Sequence, residues 1–499
     1  MFATRLAECQ DGASSIDRPI VFLVSTTGCA RDIQRHMGSA DYSYVFVLNA
    51  LAPVLERLGT WRLIEGPESR LPYLAARAVA EGARPIHLAI QPPQSGYATP
   101  ALPTVLFPFW EFPEVPDRDF GHDTRQNWLR MTQPLALALT ACDFTADALR
   151  RAGVACPIEV VPVPLAPEPF ETPDWNPDHI WTLNCRHLSW GGPIEPKPES
   201  SLAETLNPTS SVRRITPARV KHALRSRYRR YVRPWLSPGA IRALSKAQKT
   251  LLRLPETPFP LLPRTPLTLS GQVYTSIFNF SDRRKNAQDM LSAFLVAFRD
   301  RPDVTLVWKL ATSPSREFYE LNELRTLYQG LRLEHRCRFV VVTDYLTDDQ
   351  MGDLLRATTY YVNTSRAEGA CLPLQQALAS GRPALAPSHT SMADYMDDAV
   401  GFVLESHPEP TFWPHDPDHR HETTWHRLVW SSVRDAFVQS AETVESDRAA
   451  YDAMASTARD RMAGYASRDV VAEKLRQALR HLDDVSSGAD GWAALSPAG

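Results

Sequence analysis

Short apolar runs recur along the first third of the chain, with amphipathic stretches between them. The run at residues 20–25 is rich in β-branched residues and a further apolar run follows at residues 44–51, a pattern typical of buried parallel strands. Further strand-like runs follow at residues 86–90, 104–107, 136–140 and 158–163. The interval 71–82 has helical periodicity. This pattern predicts an N-terminal α/β domain built on a parallel sheet.

Strand and helix alternate most clearly between residues 273 and 386. The predicted strands are 273–280, 304–310, 338–342, 359–364 and 383–386, and the predicted helices are 286–299, 317–330, 348–356 and 371–380. The first of these helices is expected to turn one apolar face toward the sheet. This face consists of Leu291, Phe294, Leu295 and Phe298, which are spaced i, i+3, i+4, i+7. The order predicts a second doubly wound domain. Residues 430–482 follow as long polar helices.

Proline-rich sequence separates the two predicted domains. Seven prolines fall in the 21 residues from Pro157 to Pro177, which favours an extended connector. The predicted parts are an N-terminal Rossmann-like domain (1–184), a basic Pro/Ser-rich insertion or linker (185–265), a C-terminal Rossmann-like domain (266–430), C-terminal helices (431–484) and a flexible tail (485–499). Two such domains form a cleft between the carboxyl edges of their sheets, where nucleotides and sugars bind.

Composition narrows the class of protein. The 499 residues are 43% hydrophobic and 22% charged, which is ordinary for a folded globular chain. A net charge of −3 removes any global electrostatic argument for nucleic acid. The seven cysteines are scattered without a C-x-x-C pair, so we expect a reducing compartment and neither a disulfide framework nor a zinc site. Without a signal-peptide pattern or a membrane-spanning apolar run, a cytoplasmic protein is expected, soluble or peripheral on the inner face of the membrane.

The charge is unevenly distributed. Residues 212–253 contain thirteen Lys and Arg and no Asp or Glu, interleaved with aromatic residues such as Tyr228 and Trp235. This pattern is typical of amphipathic helices that lie on an anionic membrane surface. A basic helix pair packed on the acidic remainder of the chain or a poorly ordered loop also fits it, whereas a contact with RNA fits it least, and no nucleic-acid partner is expected. The sequence leaves these alternatives open.

The most informative loop runs from Ser365 to Pro373, between a predicted strand and a predicted helix. Glu368 can accept hydrogen bonds from sugar hydroxyls. The backbone amides of Gly369 to Leu372 open the helix and can reach the oxygens of a sugar or a diphosphate. Gly369 permits close approach of its backbone.

At this loop the sequence resembles the retaining glycosyltransferases of the GT-B fold, glycosyltransferase family 4 (group 1). Their C-terminal domain carries E-G-F-G-L-P-x-x-E, and this chain has EGACLPLQQ. The first family glutamate matches Glu368, whereas the second, a ribose-binding carboxylate, is replaced by Gln376. Because the Gln376 amide can still bond a diol, the departure implies altered nucleotide selection rather than lost binding. The stretch ALASGRPALAPSHTSMADYM also resembles the family, with Gly381, Pro383 and Ala384 matching.

A second segment, SIFNFSDRRKNAQDMLSAF, is similar to the family segment in which an Arg-Lys pair grips the donor diphosphate. Arg284 and Lys285 occupy those places, and Lys309 resembles a further family lysine aimed at the same cleft. The resemblance implies that these cations stabilise the departing diphosphate without a metal. It assigns catalytic roles to Glu368, Arg284 and Lys285. The implied donor-binding set is Lys309, Arg366, Gly369, Ala370, Cys371, Leu372, Gln376 and Gly28.

The first domain offers fewer candidates. Gly28 lies in a Thr-Thr-Gly-Cys turn that fits a ligand contact and a plain tight turn equally well. Trp110 and Glu111 resemble a Trp-Glu segment of bacterial relatives on the acceptor side of the cleft; the alternative is a core tryptophan beside a surface glutamate. His87 is expected to be a buried imidazole with its hydrogen bonds satisfied.

The resemblance implies a retaining hexosyltransferase that moves a sugar from a nucleotide diphosphate sugar to a hydroxyl acceptor. The acceptor class is a glycan or a lipid-linked sugar of bacterial surface polysaccharide or glycolipid synthesis. No resident cofactor is expected, and no metal, because the D-x-D look-alikes beginning at Asp117 and Asp416 do not end a strand of a single nucleotide-binding domain. Two alternatives stay open: a nucleotide-sugar epimerase, and a non-catalytic nucleotide-sugar-binding protein, which Gln376 and the single glycine at Gly28 favour.

Overall fold

The structure, a computed structural model, describes residues 18–27, 43–119, 123–192, 261–414, 416 and 420–487. The predictions for Gly28 and for the basic segment 212–253 lie outside these residues, as does nearly all of the predicted tail. Among the described residues, no helix combines the length and the apolar character needed to cross a membrane.

The first sheet contains six parallel strands in the described part of the chain. They are β1 (Ile20–Thr26), β2 (Gly59–Leu63), β3 (Arg84–Ile90), β4 (Thr104–Leu106), β5 (Leu137–Thr140) and β6 (Ile158–Val160). Their order in space is β2-β1-β3-β4-β5-β6, so the direction of chain progression reverses beside β1. Helices that flank this sheet are α1 (Ser43–Leu58), α2 (Pro67–Ala80), α3 (Trp128–Thr132) and α4 (Asp143–Ala152).

The strand predicted at 44–51 is wrong, because these residues begin helix α1. The residues that α1 buries recur mostly at spacings of three and four and are Tyr44, Val45, Val47, Leu48, Leu51, Val54 and Leu55. A short apolar run fits a buried strand and a buried helix alike. The residues after 51 distinguish a helix from a strand, because the helical spacing of apolar residues continues through Leu55.

The second sheet has eight strands among the described residues. They are β7 (Trp181–Trp190), β8 (Arg264–Leu269), β9 (Gln272–Phe278), β10 (Val304–Leu310), β11 (Arg338–Val342), β12 (Tyr360–Val362), β13 (Ala384–Ala386) and β14 (Gly401–Val403). Their order is β14-β13-β12-β9-β10-β11-β7-β8, with β7 antiparallel to both of its neighbours. The helices between the parallel strands are α5 (Ala287–Ala297), α6 (Pro314–Leu331), α7 (Asp348–Ala357) and α8 (Leu372–Ala379). The predicted pair of Rossmann-like α/β sheets is confirmed.

Strand β7 extends the second sheet into sequence that was predicted to open the insertion at residue 185. Leu183 and Cys185 are buried, whereas Thr182 and Asn184 are exposed, which is the period of a strand with one covered face. β8 pairs with it through Leu267 and its neighbours. The sheet therefore takes one strand from each side of the segment 193–260.

Helix α5 packs its predicted apolar face into the core of the second sheet. Phe294 is fully buried, and its ring contacts those of Tyr274 on β9 and Phe437. Phe437 belongs to α9 (Trp430–Ser446), the first of the predicted C-terminal helices. The other two are α10 (Arg448–Ala466) and α11 (Arg468–Ser487). The predicted face at 291–298 is confirmed.

Two further elements join the sheets. Val471, Leu475 and Leu479 on α11 pack into the core of the first sheet, although α11 follows the second sheet in sequence. An antiparallel hairpin of β15 (Ser406–Phe412) and β16 (Glu422–Leu428) leaves the second sheet after β14. Both sheets belong to one compact unit.

Candidate active site

The loops that carry the predicted site leave adjacent strands of the second sheet. β9 and β12 are neighbours, and the strand order runs in opposite directions on their two sides. In an open α/β sheet this switch point leaves a crevice at the carboxyl ends of the strands, where ligands bind. Residues 279–286 follow β9 and residues 363–371 follow β12. The candidate residues therefore converge because of the topology.

The two loops are joined by hydrogen bonds to backbone carbonyls. The Arg366 amide donates to the Arg284 carbonyl at 2.7 Å, and the Thr364 hydroxyl donates to the Lys285 carbonyl at 3.0 Å. Asp282 caps the single turn at Arg283–Lys285 by accepting from the Arg284 amide at 3.0 Å. These bonds fix the positions from which the two cationic side chains extend.

Arg284, Lys285 and Glu368 lie in one ion-pair cluster. The Lys285 ammonium is 2.5 Å from Glu368 Oε1. The Arg284 guanidinium is 2.7 Å from Asp282 Oδ2 and 2.7 Å from Oε1 of Glu111, which belongs to the first domain. We call these five residues the charged cluster. Their side chains are 7 to 21% exposed, so their charges are only partly screened by water.

The charged cluster keeps its cations ionised. Burial opposes the charged form of Arg284, but Glu111 and Asp282 raise its pKa. Burial likewise opposes the charged form of Lys285, whereas Glu368 raises its pKa. The pKa of Glu111 is raised by burial, although Arg284 pulls it down. With two cations and three carboxylates, the cluster can bind an anion at its cations when a carboxylate gives way.

Gly369 makes a close approach, as predicted, but to the first domain. A Cβ at this position would lie 3.3 Å from the Trp110 amide nitrogen and 3.5 Å from Phe109 Cβ. The Gly369 carbonyl also accepts from Cys142 Sγ at 3.6 Å. The absence of a side chain therefore lets the loop after β12 pack against the loop after β4.

The residues after Gly369 are also engaged in packing. Ala370 belongs to the core of the first sheet, and Leu372 packs against the same core. The Cys371 Sγ accepts from Asn363 Nδ2 at 2.9 Å, and burial raises the pKa of its thiol. Gln376 lies on the exposed face of α8. Their predicted contacts with a donor stay predictions.

Lys309 belongs to a different group of charges from the one predicted. Its ammonium is buried and donates to the Leu310 carbonyl at 2.9 Å. Burial lowers its pKa to about 8, with Asp344 acting in the opposite sense. Asp344 in turn pairs with Arg186 at 2.8 Å and Arg264 at 2.6 Å. The structure thus groups Lys309 with the β7 side of the sheet and not with the charged cluster.

Arg366 turns toward the β15–β16 hairpin. Its guanidinium carbon lies 4.7 Å from the centre of the Trp425 ring, and one of its terminal nitrogens lies 3.6 Å from Glu409. Trp425 and Glu409 are themselves joined by a hydrogen bond of 2.9 Å. The hairpin therefore forms a wall beside the loop after β12.

Trp110 lies in an aromatic core rather than on an open acceptor surface. It is 4% exposed, and its ring contacts those of Trp128 at 4.6 Å and Trp413 at 5.3 Å. The indole nitrogen donates to the Glu114 carbonyl at 3.0 Å. Of the two predicted acceptor-side residues, only Glu111 reaches the charged cluster.

His87 is the satisfied buried imidazole that the sequence predicted. Its ring nitrogens lie 2.9 Å from Ser25 Oγ and 3.3 Å from Thr104 Oγ1. Burial lowers its pKa to about 4, so the ring is neutral at physiological pH.

The described part of the chain contains no group of three or more His, Cys, Asp and Glu side chains that could hold a metal ion. Asp117 pairs with Arg118 at 3.0 Å. Asp416 accepts from the amides of Arg420 and His421 at 2.5 Å and 2.9 Å.

Sequence reasoning did not identify three functional features. Asp282 precedes a turn, a position that signals capping, but its ion pair with Arg284 required the structure. The β15–β16 hairpin spans residues 406–428, for which no strand was predicted. The ring of His426 on this hairpin stacks on that of His389. His389 lies in the stretch ALASGRPALAPSHTSMADYM that resembles the family, but no role was assigned to it, and His426 lies outside that stretch.

No protein-family profile and no curated protein matches the sequence. Solved structures are similar in three dimensions. Anabaena HepE in complex with UDP and glucose is 13% identical, with 93% of this chain and 99% of that chain covered and a TM-score of 0.47. Sucrose-phosphate synthase of Thermosynechococcus elongatus is 12% identical, with 94% and 100% covered and a TM-score of 0.48. The α,α-trehalose 6-phosphate synthase of Burkholderia multivorans is 10% identical, with 94% and 99% covered and a TM-score of 0.49.

Identities of 10 to 13% and TM-scores below 0.5 carry no argument about activity. Function is therefore inferred from the chemistry of the site itself. The chain is a protein of two Rossmann-like α/β sheets, with a charged site at the switch point of the second.

Proposed function

We propose that this protein is a retaining glycosyltransferase of the GT-B type that transfers a sugar from a nucleotide diphosphate sugar to a hydroxyl acceptor. The observation that carries the proposal is the convergence of Arg284, Lys285 and Glu368 at the switch point of the second sheet. The motif resemblance of the same residues supports it independently, because the motifs were identified without the structure.

In this proposal Arg284 and Lys285 bind the diphosphate of the donor. As the bond between the sugar and the diphosphate breaks, negative charge grows on the phosphate oxygen, and the two cations stabilise it. Asp282, Glu111 and Glu368 orient the cations in the free protein. Once the diphosphate has displaced a competing carboxylate, little further reorganisation is needed when the charge develops. Loss of one such preorganised donor lowers a rate by about 10²- to 10³-fold.

Glu368 orients the donor sugar through its hydroxyl groups, and Gln376 meets the ribose. The acceptor oxygen forms the new bond to the anomeric carbon on the face that the diphosphate leaves. The acceptor proton passes to the departing phosphate oxygen. The reaction then balances without a covalent intermediate on the protein, and the products are the glycoside and a nucleoside diphosphate.

The proposed acceptor is a glycan or lipid-linked sugar of bacterial surface polysaccharide or glycolipid synthesis. The basic segment 212–253 would hold the catalyst at an anionic membrane, where such acceptors reside. Liposome sedimentation of the full chain and of a variant without residues 205–255 tests this point. Equal binding of both proteins to anionic vesicles would remove the membrane part of the proposal.

A thermal-shift panel tests donor binding. UDP-glucose, UDP-galactose, UDP-N-acetylglucosamine, GDP-mannose and ADP-glucose are each added to the full chain, because a ligand at 100 times its Kd stabilises the native state by about 2.7 kcal/mol. We expect at least one donor to raise the Tm. Arg284→Gln should abolish that shift.

Arg283→Gln is the matched control, since Arg283 carries the same charge in the same turn and is exposed. It should keep the full shift. A panel in which no donor stabilises the protein, or in which both variants behave alike, contradicts the proposal.

A non-catalytic binding protein is the second candidate, and the replacement of a family carboxylate by Gln376 favours it. Release of free nucleoside diphosphate from a bound donor separates the two. Binding without release supports the second candidate. Interconversion of donor sugars without transfer would indicate an epimerase.

A further inference from the structure

Several buried polar atoms without a hydrogen-bond partner belong to residues around Glu368. Among the described residues, these include His389 Nε2, Ser391 Oγ, His426 Nδ1 and Arg366 Nε. Buried polar atoms are paired in the great majority of cases, and each unpaired atom calls for an explanation. Their concentration beside one functional loop indicates a ligand with several polar groups.

Hydrogen bonds donated by backbone amides hold these residues next to Glu368. The Glu368 amide donates to Thr390 Oγ1 at 3.1 Å, and the Ser391 amide donates to the Glu368 carbonyl at 3.3 Å. On the hairpin side, the His426 amide donates to the Arg366 carbonyl at 2.9 Å. The loop after β13 and strand β16 therefore both contact the segment 366–368.

The imidazole rings of His389 and His426 are stacked on each other. The rings of His389 and His426 stack with centroids 4.0 Å apart and planes inclined by 13°. His389 is 7% exposed. Thr390, which follows it, has φ of 52°, a left-handed conformation that is costly for a β-branched residue and that marks a position over-determined by its surroundings.

Both imidazoles are neutral at physiological pH. Burial, with a smaller contribution from the neighbouring His426, lowers the pKa of His389 to about 3. Burial also lowers the pKa of His426. A neutral imidazole offers one donor and one acceptor, which is the pairing that a hydroxyl group needs.

We propose that His389 and His426 together recognise hydroxyl groups of a neutral sugar ring, with His389 Nε2 and His426 Nδ1 as the contacting atoms. This rests on the proposed function and deepens it, since it names the class of sugar and the residues that select it. An anionic sugar is disfavoured because Arg366, whose carbonyl accepts from the His426 amide, already faces Glu409 and the Trp425 ring. The hairpin thereby becomes part of the donor site.

The test separates binding of the sugar from binding of the nucleotide. Titration calorimetry measures the Kd of UDP and GDP and that of UDP-glucose, UDP-galactose, GDP-mannose and UDP-glucuronate for the full chain. We expect a neutral sugar donor to bind more tightly than its own nucleoside diphosphate. His389→Ala and His426→Ala should each reduce that advantage about three- to tenfold, with the Kd of the nucleoside diphosphate unchanged.

Three further variants provide the controls. His389→Gln keeps an amide near the position of Nε2, and His426→Asn keeps one near Nδ1, so each should restore part of the sugar advantage. His407→Ala changes an exposed histidine of the same hairpin and should have no effect. The unchanged Kd of the nucleoside diphosphate also shows that each variant is folded.

The outcomes distinguish a failure of the proposed function from a failure of the inference about His389 and His426. A wild-type chain that binds none of these probes overturns the proposed function and this inference with it. A wild-type chain that prefers a sugar donor, while both alanine variants keep the full preference, overturns this inference alone. Tighter binding of UDP-glucuronate than of every neutral donor would also overturn it.

Discussion

Replacement of Glu111 by glutamine should strengthen the binding of a nucleoside diphosphate. Arg284 donates to two carboxylates, those of Glu111 and Asp282, each 2.7 Å away. A diphosphate that binds Arg284 must compete with both of them. The Glu111→Gln variant removes one negative charge from the charged cluster and leaves Asp282 to orient the guanidinium.

The structure sets the size of this effect. A hydrogen bond to a charged group contributes about 1.5–3 kcal/mol, and 1.4 kcal/mol corresponds to a tenfold change in affinity. The Glu111 and Arg284 side chains are 14% and 16% exposed, so solvent screens this pair less than a surface pair. Because a diphosphate need not displace Glu111 completely, the lower half of the range applies. We expect Glu111→Gln to lower the Kd for UDP or GDP about tenfold.

The pH dependence gives the same prediction by another route. Burial raises the pKa of Glu111, so this carboxyl takes up a proton at a higher pH than an exposed glutamate does. Protonation removes the competing charge, and the affinity of the wild type for the nucleoside diphosphate should therefore rise as pH falls through that pKa. Glu111→Gln should lack this rise.

Titration calorimetry between pH 5 and pH 8 checks both expectations. Asp117→Asn is the control, because it removes one negative charge from a nearby exposed pair with Arg118. It should leave the Kd and its pH dependence as in the wild type. Equal or weaker binding by Glu111→Gln, with an unaltered pH profile, would refute the argument that Glu111 competes for Arg284.

Two predictions concern stability and interdomain packing. His87 has a pKa of about 4 in the folded protein against 6.5 in the unfolded chain, so the unfolded chain binds more protons between these pH values. The free energy of unfolding should therefore fall by up to about 3 kcal/mol as pH drops from 6.5 to 4. Urea unfolding of His87→Gln should lack this loss. Gly369→Ala would place a Cβ 3.3 Å from the Trp110 amide nitrogen. We expect urea unfolding to show a free energy of unfolding about 1–3 kcal/mol lower, together with weaker donor binding. Gly330→Ala, where a Cβ meets open space, should cause neither effect.

The period of apolar residues predicted secondary structure correctly where an element is long or flanked by turn-forming residues. The five strands and four helices predicted between residues 273 and 386 are all present, because strand and helix periods alternate there without ambiguity. The run at 44–51 was wrongly predicted as a strand, because a few apolar residues that include valines fit a strand and a helix equally well. The convergence of Arg284 and Glu368 was also predictable, because the order of strands places their loops side by side.

Side-chain partners were beyond the reach of sequence. A lysine at the end of a strand such as β10 can extend to either side, and Lys309 is buried within the electrostatic influence of Asp344, which pairs with Arg186 on β7. Trp110 enters the core because Trp413, more than 300 residues later in the chain, covers it. Both outcomes depend on elements that no local pattern links to the residue concerned.

The contacts of the first domain connect the geometry of the site to that of the whole molecule. One loop of this domain supplies Glu111 to the charged cluster and packs on Gly369. The same loop bonds the hairpin, since Thr423 Oγ1 donates to Glu114 at 2.7 Å. A motion that separates the domains must therefore break an ion pair of the proposed diphosphate site and a bond to the wall of the proposed sugar site together. Donor binding, by competing for Arg284, would weaken one of these interdomain contacts, so occupancy of the site and the spacing of the domains are thermodynamically linked.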